Sequence, residues 1–196
     1  MASVLTVTGD LGALTTMYAA TGFSGRSDEA ITLTDTTAAA SALSSLDTKT
    51  TGTINASTVT TLTGTASQVA SAFASAGITG LGNAAIDVTG GSSNEMITGT
   101  AWNDIIDGGA GADTLTGGLG SDSFVFVAGQ AYGDIVTDYS GLSGQNDRLV
   151  FEGYGTGATF TDLGGGQYEI ANASRTIVDL ITLTNYSGTL IMDFII

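Results

Sequence analysis

The 196-residue sequence contains no histidine, no cysteine and no proline. Without histidine or cysteine the chain cannot form a Ser-His-Asp triad, a Cys-His dyad, an HExxH zinc site or a disulfide. The segment GFSGR faintly resembles a nucleophile elbow, but no base is present to activate Ser24, so it is interpreted as a polar turn. We therefore expect a protein that is not an enzyme. Hydrolysis of a glycan by a pair of carboxylates stays open as the catalytic alternative, although no pair stands out among 19 acids.

Basic residues are also scarce. The four present are Arg26, Lys49, Arg148 and Arg175, against 19 acidic residues, which gives a net charge of −15. Such a chain lacks the basic patches that bind nucleic acid or an anionic membrane, and it favours bound cations or a salty exterior. The N-terminus has no basic region of a signal peptide, and no apolar run approaches the length of a membrane-spanning helix.

The composition changes near Thr89. Residues 1–89 are rich in Thr, Ala and Ser and carry six acids, whereas residues 90–196 carry the other thirteen. Within the first part, ITLTDTTAAASALSSL (31–46) resembles TTLTGTASQVASAFAS (60–75) at an offset of 29 residues. Each copy begins with an alternating strand-like segment and continues into an Ala/Ser stretch that suits a short helix. We predict a solenoid-like domain over 1–89, with a low-complexity linker as the alternative.

The second part contains a nine-residue repeat without gaps. Its blocks are 90–98, 99–107, 108–116 and 117–125 (blocks one to four). Position six is always acidic and position eight is always apolar: Glu95, Asp104, Asp113 and Asp122 at the former, Ile97, Ile106, Leu115 and Phe124 at the latter. Val88 falls in the apolar column one block earlier. This period predicts that positions seven to nine form a short strand whose central residue points inward, and that the glycine-rich first six residues form a turn.

Two blocks then make one coil of a spiral, which brings acids of blocks two apart close together. Adjacent strands lie about 4.8 Å apart, and two carboxylates at that separation repel by about 1 kcal/mol even in water. A hard cation between them reverses the sign. Calcium, which accepts six to eight oxygens in flexible geometry, suits carbonyls and carboxylates better than magnesium does.

These blocks resemble the RTX (repeats-in-toxin) family, the calcium-binding β-roll with consensus GGxGxDxUx. Blocks three and four match every position. Blocks one and two depart from it, because Ser93 and Trp102 replace the fourth-position glycine, Thr100 replaces a second-position glycine, and Glu95 replaces an aspartate. A flexible glycine linker would not keep an apolar residue at every eighth position.

The resemblance implies several calcium ions held by oxygens of turns two blocks apart. Mapped onto this chain, one site uses Gly90, Ser92 and Asn94 with Gly109, Gly111 and Asp113. A second uses Gly99, Ala101 and Asn103 with Gly118, Gly120 and Asp122. Two further half-sites, Gly108-Ala110-Ala112 and Gly117-Leu119-Ser121, take Asp134 and Asp138 as candidate partners, and Asp104 is a candidate for a further site at the N-terminal end.

The segment after the repeats alternates short apolar stretches with Gly, Asn and Asp turns. It predicts an antiparallel sheet, with strands in 147–153 and 167–170, that caps the open end of the roll. Asp134–Tyr139 follows the form D-x-I-x-D-[FY], and the chain ends on Asp193 followed by apolar residues. Both features resemble the C-terminal region of RTX proteins exported by type I secretion machinery, which implies an extracellular location and calcium-driven folding outside the cell.

The predicted fold class is mainly β, with N-terminal strand and short-helix solenoid-like repeats, a parallel RTX β-roll over 90–196 and a C-terminal antiparallel cap. The first functional hypothesis is a secreted calcium-binding structural protein that self-associates into a surface layer, filament or matrix, either free outside the cell or associated with its surface. The alternatives are an adhesin-like module that binds glycans or ice through its Thr-rich faces, and the C-terminal export domain of a larger RTX protein.

Overall fold

The computed structural model describes residues 6–20, 28–142, 145–186 and 188–195. The turn interpretation around Ser24 lies outside these residues. The protein is mainly β, with 39% strand and 16% helix, and its sheets are largely parallel. The chain divides into two compact units, Met1–Ala84 and Ala85–Ile196, a division five residues before the predicted boundary at Thr89.

The first unit alternates short strands with short helices. Strands β1, β2, β4 and β6 form one parallel sheet in that order, and β3 pairs with β5 in parallel. The elements are β1 (Thr6–Gly9), α1 (Leu11–Ala19), β2 (Ala30–Leu33), β3 (Thr37–Ala39), α2 (Ala40–Asp47), β4 (Ile54–Asn55), β5 (Thr61–Thr65), α3 (Ala66–Ala74), β6 (Ile78–Thr79) and a 3-10 turn, Leu81–Asn83.

Local sequence explains where the helices begin. The Asp10 carboxylate accepts a hydrogen bond from the backbone N–H of Ala13 at 2.7 Å and so caps α1. Helix α3 begins with a capping box, in which Thr65 and Gln68 bond each other's backbone N–H groups. Both arrangements use N–H groups that a helix otherwise leaves without partners at its first turn. Capping thus explains the starts of α1 and α3, whereas α2 begins without a side-chain cap. The Ala/Ser stretches at α2 and α3 form helices, as the sequence predicts.

The repeat offset of 29 residues is wrong. Thr37 pairs with Thr61 and Ile54 with Ile78, so one coil of this unit spans 24 residues. The alignment of 31–46 with 60–75 placed β2 on β5, which belong to different sheets. Both strands read Thr-Leu-Thr around a buried leucine, so local pattern alone could not tell them apart.

The second unit continues as two parallel sheets and one hairpin. One parallel sheet contains, in this order, β7, β9, β11, β13 and β17. The other contains β8, β10, β12 and β16. Strand β15 pairs in antiparallel direction with β16 on one side and with β14 on the other. The strands are β7 (Ala85–Thr89), β8 (Met96–Thr98), β9 (Ile105–Asp107), β10 (Thr114–Thr116), β11 (Ser123–Val127), β12 (Ile135–Val136), β13 (Arg148–Glu152), β14 (Thr159–Gly164), β15 (Gln167–Ala171), β16 (Val178–Leu183) and β17 (Met192–Ile195).

The apolar column at position eight forms the core of this unit, which confirms that part of the sequence interpretation. Its members are almost completely buried: Val88, Ile97, Ile106, Leu115 and Phe124. Pairing of Phe124 with Leu149 and of Leu115 with Val136 extends the column into the following coil. Phe151 then stacks on Phe126 with ring centroids 5.6 Å apart.

The predicted antiparallel strand at 147–153 is wrong in direction. Strand β13 pairs in parallel with β11 and β17, so it adds another coil to the roll. Its inward residues, Leu149 and Phe151, are fully buried, and parallel pairing is what aligns them with the existing column. The segment at 167–170 is antiparallel, as strand β15.

The burial of position eight predicts that two leucines of the repeat differ in how much stability their replacement by alanine removes. Leu115→Ala should lower the free energy of unfolding by about 3 kcal/mol, because it leaves a cavity in a fully buried position. Leu119→Ala should change it by less than about 0.5 kcal/mol, because 64% of that side chain is exposed. Urea unfolding of both variants with calcium present measures the difference. Equal losses would contradict the assigned core.

Candidate calcium site

The turns of blocks one and three stack directly on each other. Gly91 O accepts a hydrogen bond from Ala110 N at 2.9 Å, and the Asn94 side-chain oxygen accepts one from Ala112 N at 3.0 Å. At the end of the turn, Glu95 N donates to Asp113 Oδ1 at 2.7 Å. Successive coils are therefore in register at every second residue of the turn.

The turns of blocks two and four repeat the same contacts 18 residues apart. Leu119 N donates to Thr100 O at 3.2 Å, and Ser121 N donates to the Asn103 side chain at 2.8 Å. Asp104 N donates to Asp122 Oδ1 at 2.9 Å. The equivalence of the two columns follows from the nine-residue period, because two blocks complete one coil.

The glycines of the consensus turns serve two different purposes. Gly109, Gly111, Gly118 and Gly120 have φ between 78° and 130°, which disfavours any residue with a Cβ. First-position glycines are needed for space instead. A Cβ on Gly108 would lie 2.5 Å from Asp113 Oδ2, and one on Gly117 would collide with Asp122 Oδ2.

Each consensus block buries one carboxylate oxygen without a partner. Asp113 is fully buried and Asp122 is 1% exposed. Their Oδ1 atoms accept backbone hydrogen bonds from the coil before, but neither Oδ2 has a hydrogen-bond partner among the described residues. Leaving a buried charged acceptor unsatisfied costs on the order of 1–3 kcal/mol or more. A bound cation would satisfy these two oxygens.

The acidic positions continue beyond the four blocks. Asp134 Oδ1 accepts from Asp113 N at 2.9 Å, so Asp134 takes the sixth position in the coil after block three. The corresponding position after block four belongs to Asp147, whose Oδ1 accepts from Asp122 N at 3.0 Å. Asp138, the other candidate partner, also lies against block four, where its carboxylate accepts hydrogen bonds from Gly117 N and Gly118 N.

Sequence reasoning missed Asp147, although a signal was available. The residue stands one position before strand β13, as Asp113 and Asp122 stand before β10 and β11. Its segment Asp-Arg-Leu fits the D-x-U part of the consensus, but 25 residues separate it from Asp122 rather than 18.

Gln145 was also missed. Its side chain accepts from Gly120 N at 2.6 Å and donates to Gly118 O at 3.2 Å, above block four.

The remaining predicted ligands lie in the same two columns of turns. Ser92 and Ala101 occupy exposed third positions of blocks one and two. Gly90 and Gly99 lie against the carbonyls of Gly108 and Gly117, so the first positions of stacked turns are in contact. The structure thus stacks the turns that carry the predicted ligands, and the assignment of individual ligands stays a prediction.

Electrostatics in these columns disfavour ionised carboxylates when no cation is present. Burial raises the pKa of Asp122 to about 7 from an ordinary 3.8, and repulsion from Asp104, Asp147 and Asp138 adds to the effect. Burial likewise raises the pKa of Asp134 to about 7, with repulsion from Asp113 among the further causes. Burial also raises the pKa of Asp104, Asp107, Asp113 and Asp147.

The residues present fit calcium. Within the described ranges no three acidic side chains form a cluster that could hold a metal by themselves, so backbone carbonyls would have to supply most ligands. A hard oxygen-seeking ion that accepts many ligands meets this condition. The unpartnered Oδ2 atoms of Asp113 and Asp122 would provide the charged ligands, with carbonyls of the stacked turns around them.

Comparison with known proteins identifies the repeat. The family model of the RTX calcium-binding nonapeptide repeat matches residues 89–124 in four copies. The four blocks are therefore RTX repeats, which bind Ca²⁺ and are typical of secreted proteins. No curated protein matches the chain. In the ranges that the structure describes, no helix combines the length and apolar character needed to cross a membrane.

The close approach of Gly108 to the Asp113 carboxylate predicts that a side chain at this glycine weakens calcium binding. Gly108→Ala should weaken calcium binding by about tenfold or more, because its Cβ displaces Asp113 Oδ2 from its position. Gly82→Ala is the matched control, since a Cβ there meets nothing within 4 Å. Calorimetric titration with calcium compares the two. Equal affinity in both variants would show that this oxygen is not a ligand.

The raised pKa values predict how pH changes the stability of the calcium-free protein. Asp122 and Asp134 hold protons more tightly in the folded state than in the unfolded state. The stability that this adds to the folded state is fully present below about pH 4 and is lost as the pH rises through about 7. Urea unfolding in calcium-free buffer should therefore show higher stability near pH 5 than near pH 8. Asp122→Asn should reduce that difference; an unchanged difference would contradict the assigned cause.

Proposed function

We propose that this protein is a secreted, non-enzymatic structural protein whose roll folds on calcium outside the cell and then self-associates. The observation that carries the calcium step is the pair of buried, unpartnered oxygens on Asp113 and Asp122. A ligand that binds only the folded state stabilises it, by about 2.7 kcal/mol per site at 100 times the dissociation constant. In low calcium the repulsion among buried acids favours an open chain, which suits passage through type I secretion machinery.

Far-ultraviolet circular dichroism tests the folding step. Adding millimolar calcium to chelated protein should increase the strand signal and raise the melting temperature. The double change Asp113→Asn and Asp122→Asn should abolish most of both increases, whereas Asp28→Asn, an exposed acid of the first unit, should leave them intact. Identical spectra and melting with and without calcium would overturn the proposal.

Self-association is supported by the edges of the second unit. Strands β14 and β17 stand at the ends of their sheets in the described ranges, and such edges can pair with another chain. Strand β17 exposes 39% of Phe194 and 52% of Ile195, and β14 exposes 53% of Leu163. A second copy that pairs with β17 would cover apolar surface and continue the parallel sheet, as a surface layer or filament requires.

Electron microscopy with and without calcium tests the assembly. The proposal expects ordered layers or filaments in calcium and small particles without it. Ile195→Lys should prevent assembly without changing calcium-dependent dichroism, and Leu119→Lys, in an exposed turn, should assemble normally. Monodisperse single chains at high protein and calcium concentrations would contradict self-association.

A second candidate, an adhesin-like module for ice or glycans, is favoured by one face of the roll. Threonines lie on the outward positions of the sheet formed by β8, β10, β12 and β16: Thr98, Thr114, Thr116, Thr137, Thr182 and Thr184. The Thr116 and Thr137 hydroxyls are 2.7 Å apart. Inhibition of ice recrystallisation, or glycan-array binding, that is lost in Thr116→Lys would favour this function over the structural one.

A further inference from the structure

The four repeats satisfy their acidic residues in two different ways. In blocks three and four the outer oxygen of the aspartate is buried and has no partner. In blocks one and two the acid bonds its own turn instead. Glu95 Oε2 accepts from Gly91 N at 3.0 Å, and Asp104 Oδ2 accepts from Thr100 N at 2.5 Å. The two blocks that depart from the consensus are therefore the two whose acids accept a hydrogen bond from their own turn.

In block two the Thr100 side chain adds a further donor. It stands where the consensus has glycine, and its hydroxyl lies 3.0 Å from Asp104 Oδ1 and 3.2 Å from Oδ2. Asp104 is as buried as Asp122, at 1% exposure, so burial does not separate the two acids. What differs is that Asp104 receives hydrogen bonds from an N–H and an O–H group inside its own turn.

At the other end of the column that contains Asp104 and Asp122, a second aspartate also has protein donors for both of its oxygens. Asp147 Oδ1 accepts from Asp122 N, and its Oδ2 accepts from Ser140 N at 2.7 Å. Asp104 and Asp147 thus flank Asp122 in the coils before and after it, and protein donors reach both oxygens of each flanking carboxylate. Among these three stacked acids, Asp122 alone keeps a buried oxygen for which the described residues provide no donor.

We propose that protein hydrogen bonds replace calcium at the acids of the first coil, so that among the four repeats only Asp113 and Asp122 ligate an ion through their side chains. This assignment rests on the proposed calcium-dependent function. Glu95 and Asp104 then act as metal-independent members of the repeat. The first coil presents N–H groups of residues 95 and 104 on which the calcium-bound coil stacks.

Native mass spectrometry of the full chain in increasing CaCl₂ counts the bound ions. Glu95→Gln and Asp104→Asn should retain the wild-type number at saturation, with dissociation constants within about threefold. Asp113→Asn and Asp122→Asn should each lose one ion. Loss of an ion in Glu95→Gln or in folded Asp104→Asn would overturn this inference and leave the proposed function standing. Wild-type protein that binds no calcium would overturn the proposed function itself.

If the Asp104 variant does not fold, two variants of Thr100 test instead whether protein hydrogen bonds replace the ion at Asp104. Thr100→Val removes only the hydroxyl donor, so the melting temperature in saturating calcium should fall while the ion count stays the same. Thr100→Ser restores a hydroxyl and should restore most of the melting temperature. A reduced ion count in Thr100→Val, or an unchanged melting temperature, would contradict replacement of the ion by Thr100.

Discussion

Two buried carboxylate oxygens, which no donor in the described part of the chain reaches, set the requirement on which the second unit depends. Asp113 Oδ2 and Asp122 Oδ2 lie inside glycine turns whose backbone carbonyls are also negative ends of dipoles. Oxygens of one sign packed this closely oppose folding until a cation joins them. The strands of the roll are only two to six residues long, so the turns must be held for the sheets to stack. Under the proposed function, calcium binding by the turns stabilises the stacked sheets of this unit.

The nine-residue period predicted much of the second unit because one residue type at one position had one structural consequence. An apolar residue at position eight, such as Leu115 or Phe124, could only point inward in a strand whose neighbours face outward. An acid at position six, next to glycines, fixed the turn and its ligand chemistry. Asp134 was reached differently, through the resemblance of its D-x-I-x-D-[FY] segment to RTX proteins, and it too has an apolar residue two positions after the aspartate.

Features set by contacts distant in sequence were predicted less well. Asp147 joins the acid column although 25 residues, rather than 18, separate it from Asp122. Strand β13 is parallel because its inward residues match the column already formed by β11, which its local pattern does not reveal. In the first unit, β2 and β5 share a Thr-Leu-Thr pattern but belong to different sheets, so the offset was misjudged. Periodicity specifies which face is buried; pairing partners come from tertiary packing.

The most direct measurement is anomalous diffraction from crystals of the protein grown in calcium. The account predicts anomalous peaks about 2.3–2.6 Å from Asp113 Oδ2 and Asp122 Oδ2, with carbonyl oxygens of the stacked turns completing each coordination shell. Calcium-saturated crystals in which both oxygens instead accept hydrogen bonds from protein or water, with no peak beside either, would contradict it.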